Sequence, residues 1–518
     1  MTIKVHNPST GEFLYEVKLA APAGIEAAYR RAREVQPKIA ALPLDARIRE
    51  MVKISDYVVA HQEEIIDRLV LETGKSRFDA LSTEIFEICD GIDYYRDEAP
   101  KILTDKKVHT PLVLMGKKSK VIFEPLDVVL VIAPWNYPLI QCFIPSLLAF
   151  LAGNAVIFKP SENAPLQGLY EEIMTGAGFM PDVIQIVYGG KETGAALIEA
   201  RPDKIHFTGS VRAGKQVMAA AAQHLIPVDL ELGGKDPAIV FDDVDLEGTA
   251  NGVVWAAFTN AGQSCTSIER CYVHEGIYDA FVEHVVELTK KLKSSTPERD
   301  LANATACDVG CMTTEFQLKI IEAQLQEAVE KGARILCGGE RIPRTLHFPP
   351  TLVVDVTHEM QLGTEETFGP VLPIMNFKTE AEAIQLANDS PYGLSASVWS
   401  RDMDRAERVA RALKVGNVSI NNHMLTEGNP ALPFGGVKGS GFGRYKGEWG
   451  LTTFSNVKSI ISSPDKGFIE PHWYPQTQTK YDLFTRFMQS YFARPRKWLR
   501  ILRLGLQINS IGKKEKIQ

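Results

Sequence analysis

Long apolar runs are missing from this chain. Among its 518 residues none approaches the roughly 18 that cross a bilayer as a helix. The opening, "MTIKVHNPSTGE", lacks the apolar region of a secretory signal, so no signal peptide is expected. Cysteine is sparse as well: seven residues, at positions 89, 142, 265, 271, 307, 311 and 337, odd in number and without a framework spacing. That excludes a disulfide scaffold and favours a reducing, cytosolic compartment. The eleven histidines contain no H-E-x-x-H, and the C-x-x-x-C of Cys307 and Cys311 lacks a second ligand pair for zinc, so no metal is expected. Internal repeats and low-complexity segments are absent too.

What is present describes ordinary globular cores, with 45% hydrophobic and 23% charged residues over a length that suggests two to three domains. The net charge of −7 is uneven. Nine Lys/Arg against Asp482 and Glu515 give the segment 481–518 a local charge of +7, leaving −14 for the first 480 residues. The tail is a separate electrostatic object, and no nucleic-acid partner is expected.

The first hundred residues read as helices, with "AGIEAAYRRAREVQPKIAAL" and "LDARIREMVKISDYVVAHQEEIIDRLVLETG" carrying apolar residues at i, i+3 and i+4 and the second closing on a glycine. "KVHTPLVLM" and "KSKVIFEP" around "GKK" predict a β-hairpin. The runs "VVLVIAP", "AVIFKP", "VIQIVYG", "KIHFTG" and "PAIVFDD" then alternate with helical stretches to about residue 245, which indicates parallel βαβ units in a doubly wound sheet. A second series, to about Ser400, has "ARILCGG", "TLVVDV", "VLPIMNF" and "SASVWS" as strands.

Such sheets bind ligands at the carboxyl ends of their strands. "KIHFTGSVRAGKQVM" sets Gly209 and Gly214 in a strand–helix turn that suits a pyrophosphate or serves as a plain turn, and "VYGGKETGAAL" competes with it. "VIFKPSEN" ends a strand on Lys159 and Glu162, a pair for ribose hydroxyls or two solvated loop charges. "PWNYP" fixes Asn136 between prolines, as an oxyanion donor or a turn cap. "VDLELGGKDP" ends a strand on Glu231, as a base or a helix cap. "TNAGQSCTSIERC" puts Cys265 on a loop, nucleophilic or structural, and Cys271 in an alternating strand, where it packs as a small hydrophobe.

In order and separation, "PWNYP", "KPSE", "FTGS", "ELGGKDP", "GQSC", "EETFGPV" and "PFGGVKGSGFGR" closely resemble the aldehyde dehydrogenase superfamily over residues 3 to 462. The resemblance implies an α/β fold with a Rossmann-type NAD domain (1–106 and 126–233), an α/β catalytic domain (234–435), a small β oligomerisation element (107–125 and 436–463) and, outside the family core, a basic amphipathic extension (464–518). It implies Cys265 as nucleophile, the Asn136 side chain and the Cys265 N–H as oxyanion donors, and Glu231 as the base that activates the hydrolytic water. For the cofactor it implies Trp135, Lys159, Glu162, Gly209, Ser210, Gly214, Glu366 and Phe368, with NAD preferred because Glu162 repels a 2′-phosphate and NADP as a second cofactor. A homodimer or homotetramer follows. The alternatives are a CoA-acylating dehydrogenase, which does not need Glu231, and a catalytically silent structural relative.

Beyond Pro464 the family core explains nothing. Helical spacing puts Phe484, Phe487, Met488, Tyr491 and Phe492 on one face, and a second segment carries Trp498, Leu499, Leu502 and Leu506 among Arg494, Arg496, Lys497, Arg500 and Arg503. This is the composition of a membrane-surface element, or of helices that pack on a partner subunit or cover the substrate entrance. A tail on a bilayer suits a fatty, terpenoid or apocarotenoid aldehyde, and "NNHMLTEGN" offers Met424 and Leu425 to such a substrate, with no basic residue for a carboxylate.

Overall fold

The computed structural model describes residues 2–298, 303, 305–464 and 469–515. The chain divides into two units, Met1–Thr104 with Ile122–Lys458, and Asp105–Val121 with Ser459–Gln518.

The first unit opens on an antiparallel ribbon, Thr2–His6 against Phe13–Lys18, where the sequence reading had only helices. Helix Pro22–Ala41 follows. The next helical stretch is two helices, Leu44–Ala60 and Gln62–Thr73, because His61 leaves the helical region at φ −119°. The second closes on Gly74 at φ +74°, and a Cβ there would lie 2.3 Å from Cys311 Sγ, so only glycine fits.

The largely buried runs Val128–Ile132, Ala155–Lys159, Ile184–Ile186, Lys204–Thr208 and Val228–Glu231 form a parallel sheet, extended at one edge by the antiparallel pair Gly441–Phe442. Val128–Ile132 is earliest in sequence yet central: Ala155–Lys159 and Ile184–Ile186 lie to one side, Lys204–Thr208 and Val228–Glu231 to the other. The order therefore reverses between Val128–Ile132 and Lys204–Thr208, and the crevice beyond their carboxyl ends is where such a sheet takes a ligand.

"PAIVFDD" does not belong to this sheet. Its strand, Asp236–Val240, sits inside a second sheet of seven, between Ile268–His274 and Ser395–Trp399, with Val371–Phe377, Thr351–Val354 and Asn417–Ile420 also parallel and Arg334–Cys337 antiparallel at the edge. Each sheet has its own buried core.

In the second unit Lys106–Val108 pairs antiparallel with Lys118–Pro125 across a 3₁₀ turn at Leu112–Leu114, and Ser455–Ser462 completes a three-stranded sheet as an edge strand. The tail is a pair of packed helices, Gln478–Tyr491 and Trp498–Lys514. Among the described residues no helix is long and apolar enough to cross a membrane.

Candidate active site

Helix Leu246–Phe258 ends in a left-handed turn: Asn260, Ala261 and Gly262 have φ of 51°, 55° and 68°. A Cβ on Gly262 would lie 2.1 Å from Gly369 O. For Asn260 and Ala261 the left-handed backbone costs about 1 kcal/mol each or more, so neighbours must hold it. Buried Asp79 does so, accepting from Thr259 Oγ1 at 2.9 Å and from Asn260 N at 3.2 Å. The turn delivers Cys265, half-buried, whose thiol is held well above its usual pKa, first by burial and then by the carboxylates of Glu427, Asp236, Glu366 and Glu231. Cys271 is a different object: it pairs with Ala238 and Ile374 in the second sheet, is fully buried, and burial alone pushes its thiol up.

Asn136 follows strand Val128–Ile132 and is buried. Its Nδ2 donates to Gln263 O at 3.0 Å, which uses one of two N–H bonds, and its own carbonyl accepts from Lys75 Nζ at 2.9 Å and Asn260 Nδ2 at 3.1 Å. Glu231 ends strand Val228–Glu231 at 3% exposure, and neither carboxylate oxygen has a partner. Burial raises its pKa far above the carboxylate range, Asp229 adds to this and Arg444 opposes it. An orphaned buried carboxyl is costly unless something else supplies its hydrogen bonds.

Both residues line one cavity of about 410 Å³ at the switch point of the first sheet, and Cys265, Lys159 and Glu162 line it with them. Trp135, Gly209, Ser210, Glu366 and Phe368 line it too. Ser210 caps helix Val211–Ala222, accepting from Ala213 N at 3.3 Å, so that helix presents its N-terminus to the cavity and favours an anion there. Lys159 Nζ reaches Pro160 O at 3.1 Å and Glu162 Oε2 at 3.4 Å. Gly214 is not on the wall. A Cβ there would meet Leu232 Cδ2 at 2.5 Å, so Gly214 serves close packing of helix on strand.

Two buried ion pairs that the sequence reading passed over hold these groups in place. Lys75 pairs with Glu84, both side chains fully buried, and Glu84 Oε2 accepts from Leu139 N at 2.7 Å and Ile140 N at 3.2 Å, so the pair grips the Asn136 turn from both sides. Lys235 Nζ pairs with Glu269 at 2.8 Å, and Glu269 accepts from Thr367 N at 2.7 Å and Phe368 N at 2.8 Å. Phe368 is thereby kept at φ 51°, its ring 5.4 Å from that of Trp135. Glu366 Oε1 accepts from Gly234 N at 3.0 Å, and its carboxyl rises to about 8 through burial and the charge of Glu269.

A smaller pocket opens on the other side of Cys265, lined by Tyr137, Leu394, Glu427, Phe434, Tyr445 and Lys446 among others. Its walls are largely apolar and aromatic, with the carboxyls of Glu87, Glu231 and Glu427 among them.

Residues 1–460 match the model of the aldehyde dehydrogenase family. The 4,4'-diapolycopene aldehyde oxidase of a Methylomonas species is 38% identical over 489 residues, 94% of this chain and 91% of that protein. An NAD+ complex of an aldehyde dehydrogenase from Bacillus cereus superposes with a TM-score of 0.84 at 32% identity, covering 89% of this chain and 93% of the other. The Mycobacterium tuberculosis aldehyde dehydrogenase complexed with NAD+ gives 0.83 at 32%, covering 89% and 94%.

Proposed function

The chain belongs to the aldehyde dehydrogenase family, and from that membership we propose that it oxidises an apolar aldehyde to a carboxylic acid, with Cys265 as nucleophile and NAD as the preferred cofactor. One observation carries the reading: Cys265, Asn136 and the partnerless carboxyl of Glu231 line the same cavity as a helix N-terminus and the Lys159/Glu162 pair.

Cys265 Sγ attacks the aldehyde carbon to form a thiohemiacetal. The free Asn136 N–H and the Cys265 backbone N–H hold the oxyanion, each donor contributing about 3 to 4 kcal/mol to the transition state. NAD, when bound, accepts the hydride. Glu231 then takes a proton from the water that attacks the thioester, which supplies the hydrogen bonds its carboxyl lacks. Lys159 and Glu162 bind the adenosine ribose, and Glu162 disfavours a 2′-phosphate, with NADP as the second cofactor. Gly209, Ser210 and the helix they precede take the pyrophosphate. Trp135, Glu366 and Phe368 position the nicotinamide ribose and ring. Glu231 weighs against the CoA-acylating alternative, in which no water need be activated.

The apolar substrate is supported by the relative that is a 4,4'-diapolycopene aldehyde oxidase, by the aromatic pocket beside Cys265, and by Met424 and the exposed Leu425 at the start of the short helix Leu425–Gly428 that carries Glu427. The tail supports a bilayer as the place where that substrate is met. Leu499, Leu502 and Leu506 are exposed at i, i+3 and i+7, among exposed Arg494, Arg496, Lys497, Arg500 and Arg503, so apolar insertion and attraction to anionic lipid coincide. Exposed Val457 and Ile461 on the edge strand Ser455–Ser462 support a homo-oligomer built by strand pairing.

An aldehyde panel from short to long-chain and polyene substrates, followed by NADH formation, tests the reading. kcat/KM is expected to rise with apolar length. Cys271→Ala should keep activity and Cys265→Ala should lose it; aldehyde oxidation surviving in Cys265→Ala ends the proposal.

A further inference from the structure

The thiol of Cys265 must lose a proton before it attacks, yet its surroundings oppose ionisation. Glu231 faces a second proton later, from water. Three carboxyls share the small pocket with the sulfur: Glu231, which is buried, and Glu87 and Glu427, which are half-buried.

Glu427 is fixed on the nucleophile loop by a clamp on the very next residue. Thr266, buried, donates from Oγ1 to Glu427 Oε1 at 2.6 Å. The Thr266 carbonyl meets His423 Nε2 at 2.6 Å, and burial lowers His423 to about 4, so its ring is neutral and Nε2 is the donor. Side chain and backbone of one residue thus tie segment 421–428 to the thiol. Met424, at φ 61°, is left-handed, a conformation the clamp must maintain. Lys446 Nζ donates to the Glu427 carbonyl and lies 3.4 Å from Glu87, so its hydrogen bonds go elsewhere than the Glu427 carboxyl, on which only its charge acts.

We propose that Glu427 is the proton acceptor for Cys265, leaving Glu231 for the hydrolytic water. In this step, which rests on the aldehyde dehydrogenase reading above, the Sγ–H bond breaks and an O–H bond forms on Glu427. The C–S bond forms as the carbonyl π pair moves onto oxygen, facing Asn136. One negative charge is shared: of all charged groups Glu427 most strongly opposes the Cys265 thiolate, so taking the proton removes the charge that disfavoured it. Burial, then Glu87, raise the Glu427 carboxyl to about 7, with Thr266 and Lys446 opposing, which suits a group that must both take and release a proton near neutrality. The other titratable groups interacting with it are Cys265, Asp236, Tyr137 and Tyr445.

The test is alkylation of Cys265 by iodoacetamide in the full chain without cofactor, followed by peptide mass mapping between pH 5 and 9. In the natural protein the rate should rise through about pH 7. Glu427→Gln should remove that rise and slow alkylation at neutral pH about tenfold, because no carboxylate is left on the Thr266 clamp to take the proton as the sulfur attacks. Glu231→Gln should retain it while losing steady-state turnover. An unchanged profile in Glu427→Gln, or loss of the rise in Glu231→Gln instead, overturns the inference. If Glu427→Gln does not fold, Thr266→Val replaces it: the carboxyl stays, its hydroxyl donor goes, and the rise should move to higher pH, while no movement overturns the inference equally. Failure of the wider reading is distinguishable, because it requires aldehyde oxidation by Cys265→Ala.

Discussion

The cavity-bearing unit buries charge, and the tail exposes apolar surface. Lys75, Glu84, Lys235, Glu269 and Glu231 are all under 4% exposed, while Leu499 and Leu506 are 87% and 72% exposed. Each is the reverse of where such side chains ordinarily sit. In the first unit the reversal is compensated within the chain, since four of the five charges are paired and hydrogen-bonded and only Glu231 is left open. In the tail no compensation comes from Leu499, Leu502 or Leu506 themselves. The difference teaches that a buried charge with partners positions a site, whereas one without partners, or an apolar stripe without cover, is the part that meets something else.

That contrast can be broken from its strongest side first. Lys75→Met leaves Glu84 buried and unpaired, and should cost about 3 to 5 kcal/mol in urea unfolding; adding Glu84→Leu should recover most of the stability and little of the activity. A urea midpoint unmoved by Lys75→Met would show the pair to be idle. Next, Asn136→Ala should lower kcat by about 10²- to 10³-fold, close to 3 or 4 kcal/mol of transition-state binding, as steady-state kinetics would report. Third comes Glu427, raised from the ordinary 4.5 to about 7 in the folded chain. A carboxyl whose folded pKa is raised contributes fully below the unfolded value and loses that contribution as pH rises through the folded one. Stability relative to Glu427→Gln should therefore fall between pH 4.5 and 7 and level off above, by about 2 kcal/mol once partial solvent access is discounted. Urea melts at pH 5 and 8 decide this, and a pH-independent difference would remove the shift. The smallest effect on folding belongs to the tail. Leu499→Glu, Leu502→Glu and Leu506→Glu should each change stability by less than about 0.5 kcal/mol. Together they should nevertheless abolish flotation with anionic vesicles, and a triple variant that still floats would sever the tail from the bilayer.

Much of the site could be read from the sequence because its residues end strands or sit in turns marked by glycine and proline. Asn136, Lys159, Glu162, Gly209, Ser210, Glu231 and Cys265 all fall at such points and all line the cavity. Gly214 did not follow the rule, because a glycine beside a turn looks the same in sequence whether it admits a phosphate or a leucine. Lys75, Glu84, Lys235 and Glu269 were invisible for a different reason: a charged residue gives no sign of burial, and its partner is set by tertiary structure. The run at 236–240 was legible as a strand but not as a member of the second sheet, since apolarity does not say which core a strand joins. The N-terminal ribbon had a signal, the alternation in "TIKVH" and "FLYEVK" around "NPSTGE", that the helical periodicity downstream overshadowed. In the second tail helix Ile501, Leu504 and Ile508 are the buried residues, and the stripe through Leu499, Leu502 and Leu506 is the exposed one. Two apolar stripes a few residues apart have equal claims until something packs on one of them.

At Gly262 the main chain meets the Gly369 carbonyl with no room for a side chain between, and a Cβ on Gly369 itself would meet Ile321 Cδ1 at 2.2 Å. The first glycine leads to Cys265 and the second follows Phe368 directly. Their spacing is therefore set by backbone alone, out of reach of the ordinary drift of side-chain size. Pocket residues such as Leu394 or Phe434 can be exchanged for larger or smaller ones, and the sulfur stays in register with the aromatic ring across from it. An enzyme built this way can change its diet without relearning its chemistry.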